Sequence, residues 1–267
     1  MTRVAVVTGA ARGIGAATVR GLAARGWAVL AVDRCADDPA LPYLLGSRGP
    51  LDQVVAGASA GAGDPAAAVR ALAADVRDVV AMAAAVKEAE RLWGGLDAAV
   101  AVAGVIAGGV PLWEMPFEQL EAVLGTNLGG VLALARAAIP ALLRRPEPRS
   151  GRFLAVASAA ATRGMPMLAA YSAAKAGVAG LIRSLGAELG GTGITANAVS
   201  PGSTDTPILA ETARLYGLSA GQSFAGQQPM GRLLDPEEVA AALVWLAGEE
   251  SSAMTGAVVA VDGGLAL

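Results

Sequence analysis

Hydrophobic positions along the chain fall into short unbroken runs, separated by stretches where they recur at helical spacing. Residues 4–7 are a β-branched run that stops at Thr8-Gly9, and an Ala/Leu pattern with one apolar face follows from Ile14 to Ala24. Gly26 ends that helix, and residues 28–32 are apolar at every position, as in a strand buried on both faces of a parallel sheet. The rhythm continues with a strand near 69–74, a helix near 79–93, a strand at 98–102 and one helix over 117–143. Beyond these come a strand at 152–157, a long helix at 168–189, a strand at 195–199, a helix at 236–247 and a strand at 257–261. This alternation predicts an α/β chain: a single Rossmann-fold domain over residues 1–267, with a doubly wound, mostly seven-stranded parallel sheet and helices on both faces.

Two segments interrupt the pattern. Residues 34–65 carry Asp37, Asp38, Pro39, Pro42, Gly46, Gly49 and Pro50, with a short helix expected at 51–56. They form an insertion longer than the usual connection after a second strand. Residues 203–231 follow a strand end and carry Thr204, Thr206, Pro207, Gly217, Gly221, Gly226 and Pro229, the character of a substrate lid. The competing expectation for both is surface decoration.

Composition removes several kinds of chemistry. The 267 residues contain no histidine, so Ser-His-Asp hydrolysis, Cys-His proteolysis and histidine-ligated zinc are excluded. One cysteine, Cys35, makes neither an internal disulfide nor a thiolate metal cage, and it fits a reducing cytoplasm. Residues 1–9 are too short an apolar run for a signal-peptide core, and glycines and Pro111 break the uncharged stretch 98–113 below the length of a membrane span. The expectation is a cytoplasmic protein with no membrane partner. A net charge of −3 with scattered arginines leaves no basic stripe for nucleic acid. With 54% hydrophobic and 16% charged residues, and a mean hydropathy of +0.53, the chain has more apolar surface than a monomer hides, so a homo-oligomer is expected.

Gly9, Gly13 and Gly15 lie in the turn between the first strand and the first helix, with Arg12 and Ile14 between them. There the backbone can approach a pyrophosphate, and a helix N-terminus presents unpaired N–H groups to the anion. Asp33 closes the second strand, about 20 residues further on, where a carboxylate accepts hydrogen bonds from an adenosine ribose and repels a 2'-phosphate. This favours NAD, while Arg12 and Arg34 flank the spot and soften the preference. Tyr171 and Lys175 are four apart on the long helix and share a face. An ammonium beside a phenol lowers the phenol's pKa towards the working range, which supplies the proton chemistry that histidine does not. Ser158 falls just past a strand end, at the carboxyl edge of the sheet where such folds bind ligands.

These motifs, in this order, resemble the short-chain dehydrogenase/reductase family from end to end. Residues 8–15 match its cofactor turn, Asp75 and Val76 its adenine-contacting pair, Asn127, Ser158, Tyr171 and Lys175 its catalytic tetrad, and Pro201, Gly202, Thr204 and Thr206 its nicotinamide-binding segment. The resemblance implies hydride transfer between nicotinamide and a carbon bearing an alcohol or carbonyl. Tyr171 would exchange the substrate proton, Ser158 would hold the substrate oxygen, Lys175 would bind the nicotinamide ribose, and Asn127 would fix a water joining that lysine to solvent. Thr206 and the backbone near Thr204 would hold the carboxamide. The family's Asn-Ala-Gly after the fourth strand reads Val102-Ala103-Gly104 here, replacing a bonding amide by an apolar side chain.

The segment from Arg34 to Tyr43, with Pro50-Leu51-Asp52, is similar to the insertion of mycofactocin-associated members of that family. That likeness implies a nicotinamide held too firmly to exchange and reoxidised in place by the redox peptide mycofactocin. Small residues on the long helix, Ala169, Ala170, Ala173, Ala174, Ala176, Ala179 and Gly180, suit close packing with a second copy, and the family implies a homotetramer. Val105, Ile106, Ala159, Ala160, Met165 and the stretch 208–224 are expected to line a mostly apolar pocket for a hydrophobic alcohol or carbonyl compound. The alternatives are a freely exchanging NAD(P)H-dependent 3-oxoacyl-(acyl carrier protein) reductase, and a nucleotide-sensing protein that has lost catalysis.

Overall fold

The computed structural model describes residues 2–61 and 68–267. Seven strands form one sheet: β1 (Val4–Thr8), β2 (Ala28–Asp33), β3 (Val69–Ala73), β4 (Ala98–Ala101), β5 (Arg152–Val156), β6 (Thr195–Pro201) and β7 (Val258–Val261). Every pairing is parallel, in the order β3-β2-β1-β4-β5-β6-β7. The order reverses between β1 and β4, which opens a crevice at their carboxyl ends. Alternation along β1 divides the core: Val4 and Val6 pack on one face with Leu30, Met82, Leu134 and Ile182, while Ala5 and Val7 pack on the other with Leu22, Leu51 and Leu243.

Around the sheet lie α1 (Gly13–Ala24), α2 (Arg48–Gly61), α3 (Val79–Trp93), α4 (Phe117–Leu124), α5 (Gly130–Leu143), α6 (Ala169–Glu188), α7 (Pro207–Leu215) and α8 (Pro236–Ala247). The expected single helix at 117–143 is interrupted by a π-helical turn over Gly125–Gly129, where three glycines in the first six residues from Gly125 weaken regular helix. This long apolar stretch has the length and composition to cross a membrane, but half of its most apolar window is buried and it packs as a core helix on α3 and the sheet. The short helix expected at 51–56 extends to Arg48–Gly61, because Leu51, Val54 and Ala58 continue a buried stripe at helical spacing. Positions 62–65 of the insertion lie outside the described residues. The segment 203–231 is not a bare loop: it holds α7, begun by a Thr206 cap and Pro207, and a 3-10 stretch at Gly221–Gln227 that buries Phe224.

Candidate active site

The crevice is a cavity of about 850 Å³ that runs from the glycine turn to the C-terminal tail. Gly9, Arg12, Gly13, Ile14, Gly15, Asp33, Arg34, Asp75, Val76, Ala103, Gly104, Ser158, Tyr171, Lys175, Pro201, Gly202, Thr204 and Thr206 all line it. Asn127 stands behind its wall, and its neighbour Thr126 lines it instead.

The glycine turn is shaped for close approach. At Gly9, with φ +68°, a Cβ would stand 2.6 Å from the Ala103 Cα, and at Gly13 it would reach 3.2 Å from the Thr206 methyl, across the groove. Among the described residues, no side chain caps the first turn of α1. A gap lined by backbone in front of an uncapped helix N-terminus fits a pyrophosphate. The Asp33 carboxylate is held by the N–H groups of Ala11 (3.0 Å) and Cys35 (3.2 Å) and keeps lone pairs for a ribose. The cradle therefore suits a dinucleotide. The backbone around Val102 is held from the other side of the turn, where Thr8 Oγ1 accepts the N–H groups of Val102 (3.2 Å) and Ala103 (3.4 Å).

Ser158 is the cap of a 3-10 turn at the end of β5, where its Oγ accepts the Ala160 N–H at 3.1 Å and stands beside the Tyr171 phenol. Tyr171 and Lys175 do lie on one face of α6. The ammonium, however, donates to the Val156 carbonyl at 2.8 Å and sits 5.7 Å from the centroid of the phenol ring. Burial pushes the Tyr171 phenol above its ordinary value, and the neighbouring Ser158 hydroxyl offsets only part of that rise. This corrects the expectation of a lowered phenol: the cation is aimed at a carbonyl, and burial itself lowers Lys175 to about 8.

The π-helical turn directs Asn127 inward. Its side chain bonds Val105 twice, the Oδ1 accepting from N–H at 2.9 Å and the Nδ2 donating to C=O at 2.8 Å. A Cβ on Gly104 would lie 2.9 Å from that Oδ1 and 3.7 Å from the Lys175 Nζ, so Asn127, Gly104 and Lys175 form one packed unit. Thr206 caps α7 through Leu209 N–H at 3.4 Å and donates to the Thr204 carbonyl at 3.2 Å.

Bonds that the sequence did not signal brace the cavity from both sides, one set through Gln228, which was not singled out, and the other through Tyr43 of the insertion. Gln228 is buried at the base of the 203–231 segment, its Oε1 accepting the Ser203 N–H (2.8 Å) and its Nε2 donating to the Arg232 carbonyl (2.6 Å). Above it Tyr216 donates to the Pro166 carbonyl at 2.6 Å and packs edge-on against Phe224. On the opposite rim, the Tyr43 hydroxyl accepts the Ile106 N–H at 2.9 Å, and Leu41 and Tyr43 pack in one apolar cluster with Val105, Ala170 and Tyr171. Burial pushes the Tyr43 phenol up to about 12, so it remains a neutral latch. Arg12 donates to the Leu44 carbonyl at 3.3 Å and joins the same segment to the glycine turn. The spacing of Gln228 and Tyr43 in sequence carried no signal of these bonds.

A family model described as enoyl-(acyl carrier protein) reductase matches residues 9–266. The cis-4-hydroxycyclohexanecarboxylate dehydrogenase of Sinomonas cyclohexanicum is 41% identical over 98% of this chain and 96% of its own length. The 2-dehydro-3-deoxy-L-rhamnonate dehydrogenase (NAD(+)) of a Sphingomonas strain is 34% identical over 98% and 94%. The crystal structure of carveol dehydrogenase from Mycobacterium avium in complex with NAD superposes with a TM-score of 0.91 at 30% identity, covering 98% of this chain and 97% of that one. The sheet order, the glycine cradle, the Ser158-Tyr171-Lys175 cluster and these relatives together establish that the chain belongs to the short-chain dehydrogenase/reductase family, as an NAD-dependent oxidoreductase acting on alcohols or ketones.

Proposed function

We propose that the protein oxidises an apolar, alicyclic secondary alcohol, with an NAD that stays in its groove and is recycled in place by mycofactocin. The observation that carries this reading is the segment from Arg34 to Leu45, which is tied to the glycine turn through Arg12, to the substrate wall through Tyr43, and by ion pairs to the strand end at Asp75. A strap with three attachments around one groove slows departure of what lies beneath it. The substrate class follows from the apolar end of the cavity, where Ile106, Ala160, Met165, Ile208 and Phe224 meet, and from relatives named for a hydroxycyclohexanecarboxylate and for carveol.

In this reading bound NAD+ supplies the hydride acceptor. The Tyr171 oxygen takes the alcohol proton as its own hydroxyl proton leaves towards the Lys175 amine, and Ser158 holds the substrate oxygen, stabilising charge as it develops there. Lys175 holds the ribose hydroxyls and passes the proton onward, with Asn127 fixing the Val105 backbone beside it. Gln228 keeps the 203–231 lid seated. The working form is a cytoplasmic homotetramer built through α6, on which Ala169, Ala173, Ala176 and Gly180 form an exposed stripe of small residues at helical spacing.

The test is to purify the protein without added nucleotide, denature it and identify what it releases by mass spectrometry. Near one NAD(H) per chain, with slow replacement by isotopically labelled NAD+ and turnover sustained by an artificial electron acceptor, is the expected result. An empty protein that turns over freely with added NAD+ would instead identify an ordinary exchanging dehydrogenase.

A further inference from the structure

Arg34 follows Asp33 directly and lines the same end of the cavity. A guanidinium there would ordinarily attract a 2'-phosphate and work against the selectivity of Asp33. In this protein it is already engaged. Its Nη1 meets the Asp38 carboxylate at 2.7 Å and its Nε meets that of Asp75 at 3.3 Å. Arg77 grips the same two carboxylates, at 2.9 Å for Asp38 and 2.7 Å for Asp75. Two cations and two anions thus close a neutral square beside the ribose end of the groove.

Asp38 is the corner contributed by the insertion. Its side chain is only 6% exposed, and its second oxygen accepts the Ala40 N–H at 3.0 Å. Cys35, in the left-handed region at φ 57°, bends the chain so that Asp38 returns over Arg34. We infer that Asp38 is a positioning residue for cofactor choice: it holds Arg34 away from the place a 2'-phosphate would take, and so selects NAD over NADP. A 2'-phosphate that recruited Arg34 would have to break its pair with a nearly buried carboxylate, in addition to facing Asp33 and Asp75. The inference rests on the assignment of this groove to a nicotinamide dinucleotide but not on retention of that cofactor.

The experiment compares wild type with Asp38→Asn, Arg77→Gln and the double variant Arg34→Ala/Asp38→Asn. The cofactor released on denaturation is identified by mass spectrometry, and the relative affinities for NADP+ and NAD+ are measured by thermal shift. Asp38→Asn should move the affinity ratio towards NADP+ by about tenfold or more, with a gain that shrinks at high salt. Adding Arg34→Ala should cancel that gain. Arg77→Gln should move the ratio the other way, because Arg34 becomes the remaining cation of the square and is held harder. General loosening of the site would not produce opposite signs. An unchanged ratio in Asp38→Asn, or a gain that survives loss of Arg34, overturns the inference. If Asp38→Asn does not fold, a shift towards NADP+ in Arg77→Gln, or none, overturns it equally. A protein that purifies empty counts against the retained cofactor, while the affinity ratios still decide the role of Asp38.

Discussion

Tyr171 and Lys175 stand one turn apart on α6, yet the lysine ammonium is bonded to the Val156 carbonyl at 2.8 Å and lies 5.7 Å from the phenol ring centroid. The lysine is thereby a buried cation whose partner is a neutral carbonyl. Burial lowers it from 10.5 to about 8. Between those values the unfolded chain holds the proton that the folded chain has released, so stability rises with pH across the window, and below it the deficit is complete. Lys175→Met should abolish that rise and be more stable than wild type near neutral pH by about 1–2 kcal/mol, after allowing for the orphaned carbonyl. Turnover should fall at least about a hundredfold. Denaturant titrations at neutral and alkaline pH, with parallel rates, check both; equal pH dependence in the two proteins would contradict the account.

Tyr171→Phe should end turnover and leave NAD(H) bound. The phenol hydroxyl is the group aimed at Ser158, whereas the ring packs with Leu41 and Ala170 and is preserved by the substitution. Near-normal rates would remove Tyr171 from its proposed role.

Tyr43→Phe keeps the ring and removes the acceptor of the Ile106 N–H. An unsatisfied N–H at a largely buried position costs about 1–2 kcal/mol. One of the three attachments of the strap is lost with it, so bound NAD(H) should exchange several-fold faster. Exchange of labelled cofactor, followed by mass spectrometry, reads this directly.

Gly104→Ala introduces a Cβ 2.9 Å from Asn127 Oδ1 and 3.7 Å from Lys175 Nζ. Neither neighbour can retreat without breaking bonds to Val105 or Val156. We expect a loss of about 1–3 kcal/mol in stability and a drop in kcat larger than any rise in KM. A variant with wild-type kcat would show that this packed unit does not position the proton machinery.

Ala173→Arg places a long cation in the exposed small-residue stripe of α6. If that stripe joins two copies, light scattering should show the variant at a smaller assembly than wild type, with the monomer's fold intact by circular dichroism. An unchanged mass would move the interface elsewhere, for instance to the exposed side chains of Leu112, Trp113 and Phe117.

The readable part of this protein was local in sequence. Apolar runs and helical stripes need only neighbouring residues, so α3 and α8 occupy the expected spans. The glycine turn, Asp33 and the Tyr171/Lys175 pair each form a pattern confined to one turn, strand end or helix face, and the structure places all of them on one cavity. The expected helix over 117–143 failed at Gly125–Gly129 for a related reason: apolar periodicity is nearly blind to one extra residue in a turn, yet that turn sends Asn127 to Val105.

What depended on packing was every bond between distant segments. Thr8 accepts the Val102 N–H across 94 residues of chain, Tyr43 reaches Ile106 across 63, and Gln228 closes on Ser203 across 25. The direction of the Lys175 ammonium and the capture of Arg34 by Asp38 belong to the same class. Residue order settles which groups are present and which share a strand or a helical face. Which polar group satisfies which is settled by burial, because each donor or acceptor taken from water needs a partner among whatever the folded chain brings within reach.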